Sequence, residues 1–233
     1  MLDKKGNSST LERINLTERI LKILPKEKIE IILADREFIG EEWLEYLSSA
    51  RLPFAIRVKK NERIIHKNGG RMQLCKFFAN MKLGASKTLE TKIYDKKISV
   101  KITCLQLDRE QLFIASNAVV GVDALLVYKQ RWSIERSFKS LKTSGFNIED
   151  THITDLKKLE KLFAIVSVSL AICVVAGEIK NKIQAIKVKK HGRKSYSLFT
   201  YGFDWLKDYF CNRQNMALNM MFDLLREKIM SVV

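Results

Sequence analysis

Between Ile29 and Val58 the chain passes through an apolar run, a short amphipathic segment and an alternating run, and that order leaves few folds open. IEIILA, residues 29–34, is nearly continuous in apolar side chains, which predicts a strand buried on both sides and ending at Asp35. Glu41 to Ser49 carries Trp43, Leu44 and Leu47 and predicts a helix. Phe54, Ile56 and Val58 then alternate with Ala55 and Arg57, the period-two pattern of a strand. Two strands joined through a helix predict a βαβ unit with a parallel pair. Asp35 would stand at the carboxyl end of its strand, where open α/β sheets place their ligands. An aspartate in this position also reads simply as a helix or turn cap.

The flanking segments extend this α/β reading. Ser9-Thr10-Leu11-Glu12 has the form of a capping box, opening a helix that Leu11, Ile14, Ile20, Leu21 and Leu24 carry to Pro25. From about Asn61 to Ser116 the pattern turns to alternation, with a Gly69-Gly70 turn, and predicts a mostly β segment. Helices are expected again over Asp123–Thr143 and Asp155–Lys182, near Leu198–Phe210, and over Gln214–Val232. The most apolar stretch, Leu162 to Gly177, is short for a membrane span and predicts a buried helix. MLDKKGNSST has no apolar signal-peptide core, so secretion is not expected.

Within the helix expected over 123–143 lies YKQRWSIERSFKSLK, with Tyr128, Arg131, Glu135 and Lys142 at offsets of 0, 3, 7 and 14. At about 100° per residue these four fall within an arc of roughly 60°, while Val127, Ile134, Phe138 and Leu141 fill a second arc beside it. A carboxylate at the margin of a buried face, flanked by cations, suits a metal ion next to a phosphodiester. The acid binds the ion, Arg and Lys neutralise phosphate charge, and Tyr bonds a phosphate oxygen. The plain alternative is an amphipathic helix with a solvated charged face.

The formal charge is +16, from 42 basic and 26 acidic residues in 233, with a local cluster at Lys187, Lys189, Lys190, Arg193 and Lys194. A polyanionic partner follows, and nucleic acid fits better than a membrane surface because no basic amphipathic helix stands apart as an anchor. Cys75, Cys104, Cys173 and Cys211 are far apart, and His66, His152 and His191 show no ligand spacing. Neither structural zinc nor a disulfide framework is expected, in keeping with a reducing cytosol.

The spacing Y-x2-R-x3-E-x6-K, matched at all four positions, resembles the signature of DDE transposases of bacterial insertion sequences, in the insertion-sequence-four branch. LADREF, with Asp35, is similar to that family's second catalytic aspartate at a strand end. The β-rich segment before the Glu-bearing helix and the segment HGRKSYSLFTYGFDWL, residues 191–206, resemble it too. The resemblance implies an α/β fold: a ribonuclease-H-like core lacking its first strands, with a mostly β insertion and a helical C-terminal part. Its divisions would be 1–60 for the first part of the core, 61–116 for the insertion, 117–186 for the signature helices, and 187–233 for a basic loop and helices.

The resemblance also assigns roles. Asp35 and Glu135 would be catalytic ligands of Mg2+, while Tyr128, Arg131 and Lys142 would hold phosphates around the cut. Trp132 would stack on an unpaired base or sit in the core, and Arg136 and Lys139 would touch the DNA backbone or lie solvated. The family's first carboxylate belongs to an earlier strand, whereas the acidic residue well ahead of the first helix here is Asp3. The expectation is therefore an N-terminally truncated transposase that binds Mg2+ weakly or not at all and does not cleave DNA alone. Its expected partners are double-stranded transposon ends and a second copy or a full-length transposase, at the bacterial nucleoid and away from membranes. The alternative is a noncatalytic DNA-binding or inhibitory fragment that pairs with the full-length enzyme.

Overall fold

The structure is a computed structural model, described here for residues 7–65, 69–94, 98–117, 123–142, 145–212 and 226. The chain divides into two compact units, Leu2–Trp132 and Ser133–Val233.

The first unit opens with helix α1, Thr10–Leu21, and the capping box is present. The Ser9 hydroxyl accepts from the Glu12 amide at 3.3 Å, and the Glu12 carboxylate accepts from the Ser9 amide at 2.6 Å. Strand β1, Ile32–Ala34, helix α2, Glu41–Ser49, and strand β2, Phe54–Arg57, follow as the expected βαβ unit. β1 and β2 are parallel, with Ile32, Leu33 and Ala34 opposite Phe54, Ala55 and Ile56. The first strand is shorter than its apolar run and only half-buried, not enclosed on both sides. It lies at the edge of the sheet, so one flank has no neighbouring strand among the described residues to cover it.

The segment over 61–116 is mostly strand. β3, Arg63–Ile65, and β4, Arg71–Gln73, form a small antiparallel sheet leading into the short helix α3, Leu74–Phe77. β5, Ser86–Ile93, β6, Ile98–Gln106, and β7, Gln111–Ser116, form a meander whose last strand pairs antiparallel with β2. The result is one mixed sheet in the order β1-β2-β7-β6-β5, so the β-rich segment continues the sheet begun by the βαβ unit. Asn117 clips the entrance to β2. Its side chain donates to the Leu52 carbonyl at 2.8 Å and accepts from the Phe54 amide at 3.1 Å, both in the interior.

Period-two alternation divides the sheet into two faces. Ile32, Ala34, Phe54, Ile56 and Phe113 join Trp43, Leu44 and Leu47 of α2 in the main core. Ile31, Leu33, Ala55 and Ile114 face helix α4, Ala124–Lys129, through Ala124 and Tyr128. Full burial of a large apolar side chain contributes roughly 1.5–3 kcal/mol. Phe54 and Ile56, both without exposed surface, therefore tie β2 to α2 firmly.

The single helix expected over 123–143 is two. α4 closes at Lys129 on i→i+3 bonds, from the Gln130 amide to Val127 and the Arg131 amide to Tyr128, both 3.0 Å, and α5 runs Trp132–Lys142. Such tight bonds have 3-10 geometry, with fewer residues per turn than an α-helix. The 100° spacing drawn through all four signature residues therefore does not hold across Gln130–Arg131.

In the second unit α6, Leu156–Ile183, starts at the expected cap, where Asp155 accepts from the Lys157 and Lys158 amides. It is longer than its apolar run and, contrary to the expectation of a buried helix, only 22% of its most apolar stretch is buried. By length and composition alone it could cross a membrane. α7, Leu198–Asn212, crosses it at two glycines: a Cβ on Gly177 would lie 1.9 Å from the Leu198 carbonyl oxygen, and one on Gly202 the same distance from that of Cys173. Phe199 and Leu206 fill the crossing against Cys173, Ala176 and Ile179. The helix expected over 214–232 lies outside the described residues except for Arg226.

Candidate functional site

Asp35 ends β1, half-buried, as the cap of a 3-10 turn over Arg36–Phe38; its carboxylate accepts from the Arg36 amide at 2.7 Å. The cap reading of this residue is therefore realised, and it does not displace the other. Capping uses one oxygen and holds the carboxylate at the strand end. α1 steadies the turn: the Arg13 guanidinium lies 4.9 Å over the Phe38 ring and donates to the Glu37 carbonyl at 3.4 Å.

Asp35 follows Leu33, and Arg57 follows Ala55, on the α4 face of adjacent parallel strands. The register puts Asp35 level with Arg57, one step beyond the pair Ala34 and Ile56. Tyr128 is buried on the same face; its hydroxyl has no well-aligned hydrogen bond among the described residues, and the Arg131 guanidinium is the side chain within reach of it. Burial pushes its phenol pKa up; the charge of Arg131 pulls against that, Asp35 adds to it and Arg57 opposes it. The Arg131 guanidinium lies 5.6 Å from the Tyr128 ring centroid. An acid, two arginines and a buried phenol thus converge at the carboxyl ends of β1 and β2. Arg57 was not singled out in the sequence, although strand alternation and parallel pairing together carry the signal for it. Arg57 also holds Glu110 in an ion pair at 2.9 Å.

The remaining signature residues lie on α5. Trp132 is 65% exposed, which removes the core alternative for it. Glu135, Arg136 and Lys139 are exposed, and Lys142 pairs with Glu149 at 2.9 Å. Ile134 and Phe138, expected on a buried arc, are 46% and 47% exposed, while Leu141 is buried. The basic cluster Lys187–Lys194 forms an exposed turn closed by an isolated bridge between Val188 and Lys194, with Gly192 at φ +78°.

No three His, Cys, Asp or Glu side chains among the described residues gather into a group that could hold a metal ion. All four cysteines are free thiols, and burial pushes those of Cys104 and Cys173 up to about 11.

No match is found among curated proteins. A protein-family model described as the transposase DDE domain matches residues 3–172, a span that holds Asp35, Arg57, Tyr128, Arg131 and the whole of α5. DDE transposases act on DNA and use divalent metal ions, and with most of its length matched this chain belongs to the DDE transposase family.

Proposed function

We propose that the chain is a DNA transposition protein of the insertion-sequence-four type, built on a ribonuclease-H-like sheet and working in the bacterial cytoplasm at the nucleoid. Asp35 and Glu135 are its two acidic site residues. Tyr128, Arg131 and Lys142 bind phosphates at the cut, Arg136 and Lys139 bind the flanking backbone, and Trp132 stacks on an unpaired base. The observation that carries this reading is the convergence of Asp35, Arg57, Tyr128 and Arg131 on one sheet face. A buried phenol without a well-aligned protein partner, within reach of Arg131 and near Asp35 and Arg57, is placed to bond an oxygen-rich ligand.

The family implies a divalent metal, with Mg2+ the expected ion, but the described side chains do not fit one as a self-contained set of three ligands. Two acidic positions would give a pair of ions few protein ligands, and Mg2+ is exacting in its octahedral geometry. On this reading the chain binds DNA and does not cut it alone, as a catalytically defective copy. The test is binding of a labelled DNA duplex across a salt series, beside nicking of supercoiled plasmid with Mg2+ or Mn2+. Tight binding with a steep salt slope and no nicking is expected. Absence of binding at low salt would refute the reading. Metal-dependent nicking abolished by Glu135→Ala would refute the inactivity.

A second reading, a partner or inhibitor of a full-length transposase, is favoured by the edge position of β1 and by apolar side chains that α1 leaves in solvent, Leu11 at 66% and Leu16 at 55% exposed. Light scattering would show a dimer, and co-expression with an intact element would lower its transposition. A monomer with no effect on transposition would remove this reading.

A further inference from the structure

Beside Asp35, a groove of about 730 Å3 opens between the end of β2, the following turn and the β6–β7 turn. Arg36, Arg57, Lys59, Lys60 and Arg109 line it, against one carboxylate, Glu110. Glu110 is committed to Arg57 at 2.9 Å. Arg36, Lys59, Lys60 and Arg109 are exposed and form no ion pair among the described residues. Four cations outside any ion pair therefore share one concave surface, where the Glu62 carboxylate, acting on Lys59, and Asp35 beside Arg36 offset only part of their charge. Like charges gathered this way repel one another, which is a cost to the free protein that a polyanion relieves.

The backbone beneath these charges is fixed. The Val58 amide donates to the Phe113 carbonyl at 3.0 Å, continuing the sheet past β2. The Glu62 amide closes the turn onto the Lys59 carbonyl at 3.0 Å, and the carbonyls of Lys60 and Glu62 accept from the Cys75 and Leu74 amides at 3.0 and 2.9 Å. On the opposite wall the Leu107 amide donates to the Glu110 carbonyl at 2.9 Å. At the floor, Gln111 bonds the Phe78 carbonyl and the Gln106 side chain, both at 2.8 Å. Lysines on such a turn lose little backbone entropy on binding, unlike lysines on a mobile tail.

We infer that this groove is a phosphate track for DNA, in which Arg36, Lys59, Lys60 and Arg109 hold the sugar-phosphate backbone flanking the segment presented to Asp35. The inference rests on the DNA-transposition reading and adds to it a binding surface outside the Tyr-Arg-Glu-Lys signature. Arg36 joins the two: its amide is capped by the Asp35 carboxylate and its side chain lines the groove. Contacts of this kind set register and affinity without reading bases, so the track accepts any sequence.

The experiment is fluorescence anisotropy with a labelled duplex of random sequence between ~50 and ~200 mM salt. It compares the full chain, the groove variant K59A/K60A/R109A, and a control of equal charge loss, K22A/K26A/K28A. Each phosphate contact contributes about 0.9 to the slope of log affinity against log salt, so the groove variant should lose roughly 2–3 in slope and the control less than about 0.5. The side chains removed from the groove are exposed, so melting temperatures should match. K59Q/K60Q/R109Q, which keeps polar surface, is the second variant if the alanine protein unfolds. Equal loss in groove and control variants would reduce the effect to net charge and overturn the track. An unchanged slope in the groove variant, with the parent chain binding DNA well, would overturn the track and leave the DNA-transposition reading standing. No binding by the parent chain would overturn both.

Discussion

Replacing Gly177 by Ala should loosen the α6–α7 crossing. The added methyl would sit 1.9 Å from the Leu198 carbonyl oxygen and 3.1 Å from the Gly202 amide nitrogen, both backbone atoms that cannot turn aside as a side chain can. To bring that methyl to an ordinary contact of 3.4 Å the helices must part by roughly 1.5 Å, and a gap of half to one ångström already forfeits a quarter to a half of each dispersion contact. The loss falls on Phe199, Leu206, Cys173, Ala176 and Ile179, and on Phe146, whose ring lies 5.7 Å from Phe199 and 5.8 Å from Phe203. Overpacking of this kind costs about 3 kcal/mol at the upper end of its usual range. Alanine returns about 1 kcal/mol through its better helix propensity. The net loss is about 2 kcal/mol, or roughly 4–8 °C in melting temperature for a chain of this size. Urea and thermal denaturation followed by far-UV circular dichroism would read it. Gly70→Ala, where a Cβ would meet nothing within 4 Å, is the control and should change stability little. A Gly177→Ala protein as stable as its parent would refute the packing argument.

Four further outcomes follow from polar side chains and thiols. Asn117→Ala should cost about 2–4 kcal/mol in urea denaturation, because the Leu52 carbonyl and the Phe54 amide both lose their interior partner; an unchanged midpoint would mean the clip is dispensable. Tyr128→Phe should leave stability within about 1 kcal/mol, since the hydroxyl has only a poorly aligned contact with Arg131 to lose, yet weaken DNA binding by roughly 2–10-fold, the value of one hydrogen bond. Equal affinity for DNA would remove Tyr128 from the site. Exposed Cys211 should react with a thiol reagent first and half-buried Cys75 more slowly, with Cys104 and Cys173 protected until unfolding. Because burial raises the latter two thiols from about 9 to about 11, the unfolded chain gives up their protons first. Their contribution to stability is therefore full below pH 9 and falls as pH rises toward 11, which urea midpoints across that window would show.

Local chemistry was legible in the sequence wherever a few neighbouring residues decide the outcome. The capping box at Ser9, the cap at Asp155, the βαβ unit over 29–58 and the strand-rich character of 61–116 all depend on near neighbours, and each is present. The family resemblance also rested on local spacing, and the match over residues 3–172 bears out a DDE transposase. Tertiary structure decided what spacing cannot carry. Periodicity marks Ile134 and Phe138 as an apolar face but not whether another element covers it, and they are about half exposed. An apolar run gives no sign of being at a sheet edge, and β1 is only half-buried for that reason. A helix pattern passes through Gln130–Arg131 without showing the tight turn that divides it. The cationic groove became visible only with the pairing of β7 to β2, because positions 109–111 join 36 and 57–60 on one surface only after that pairing sets the β6–β7 turn beside the end of β2.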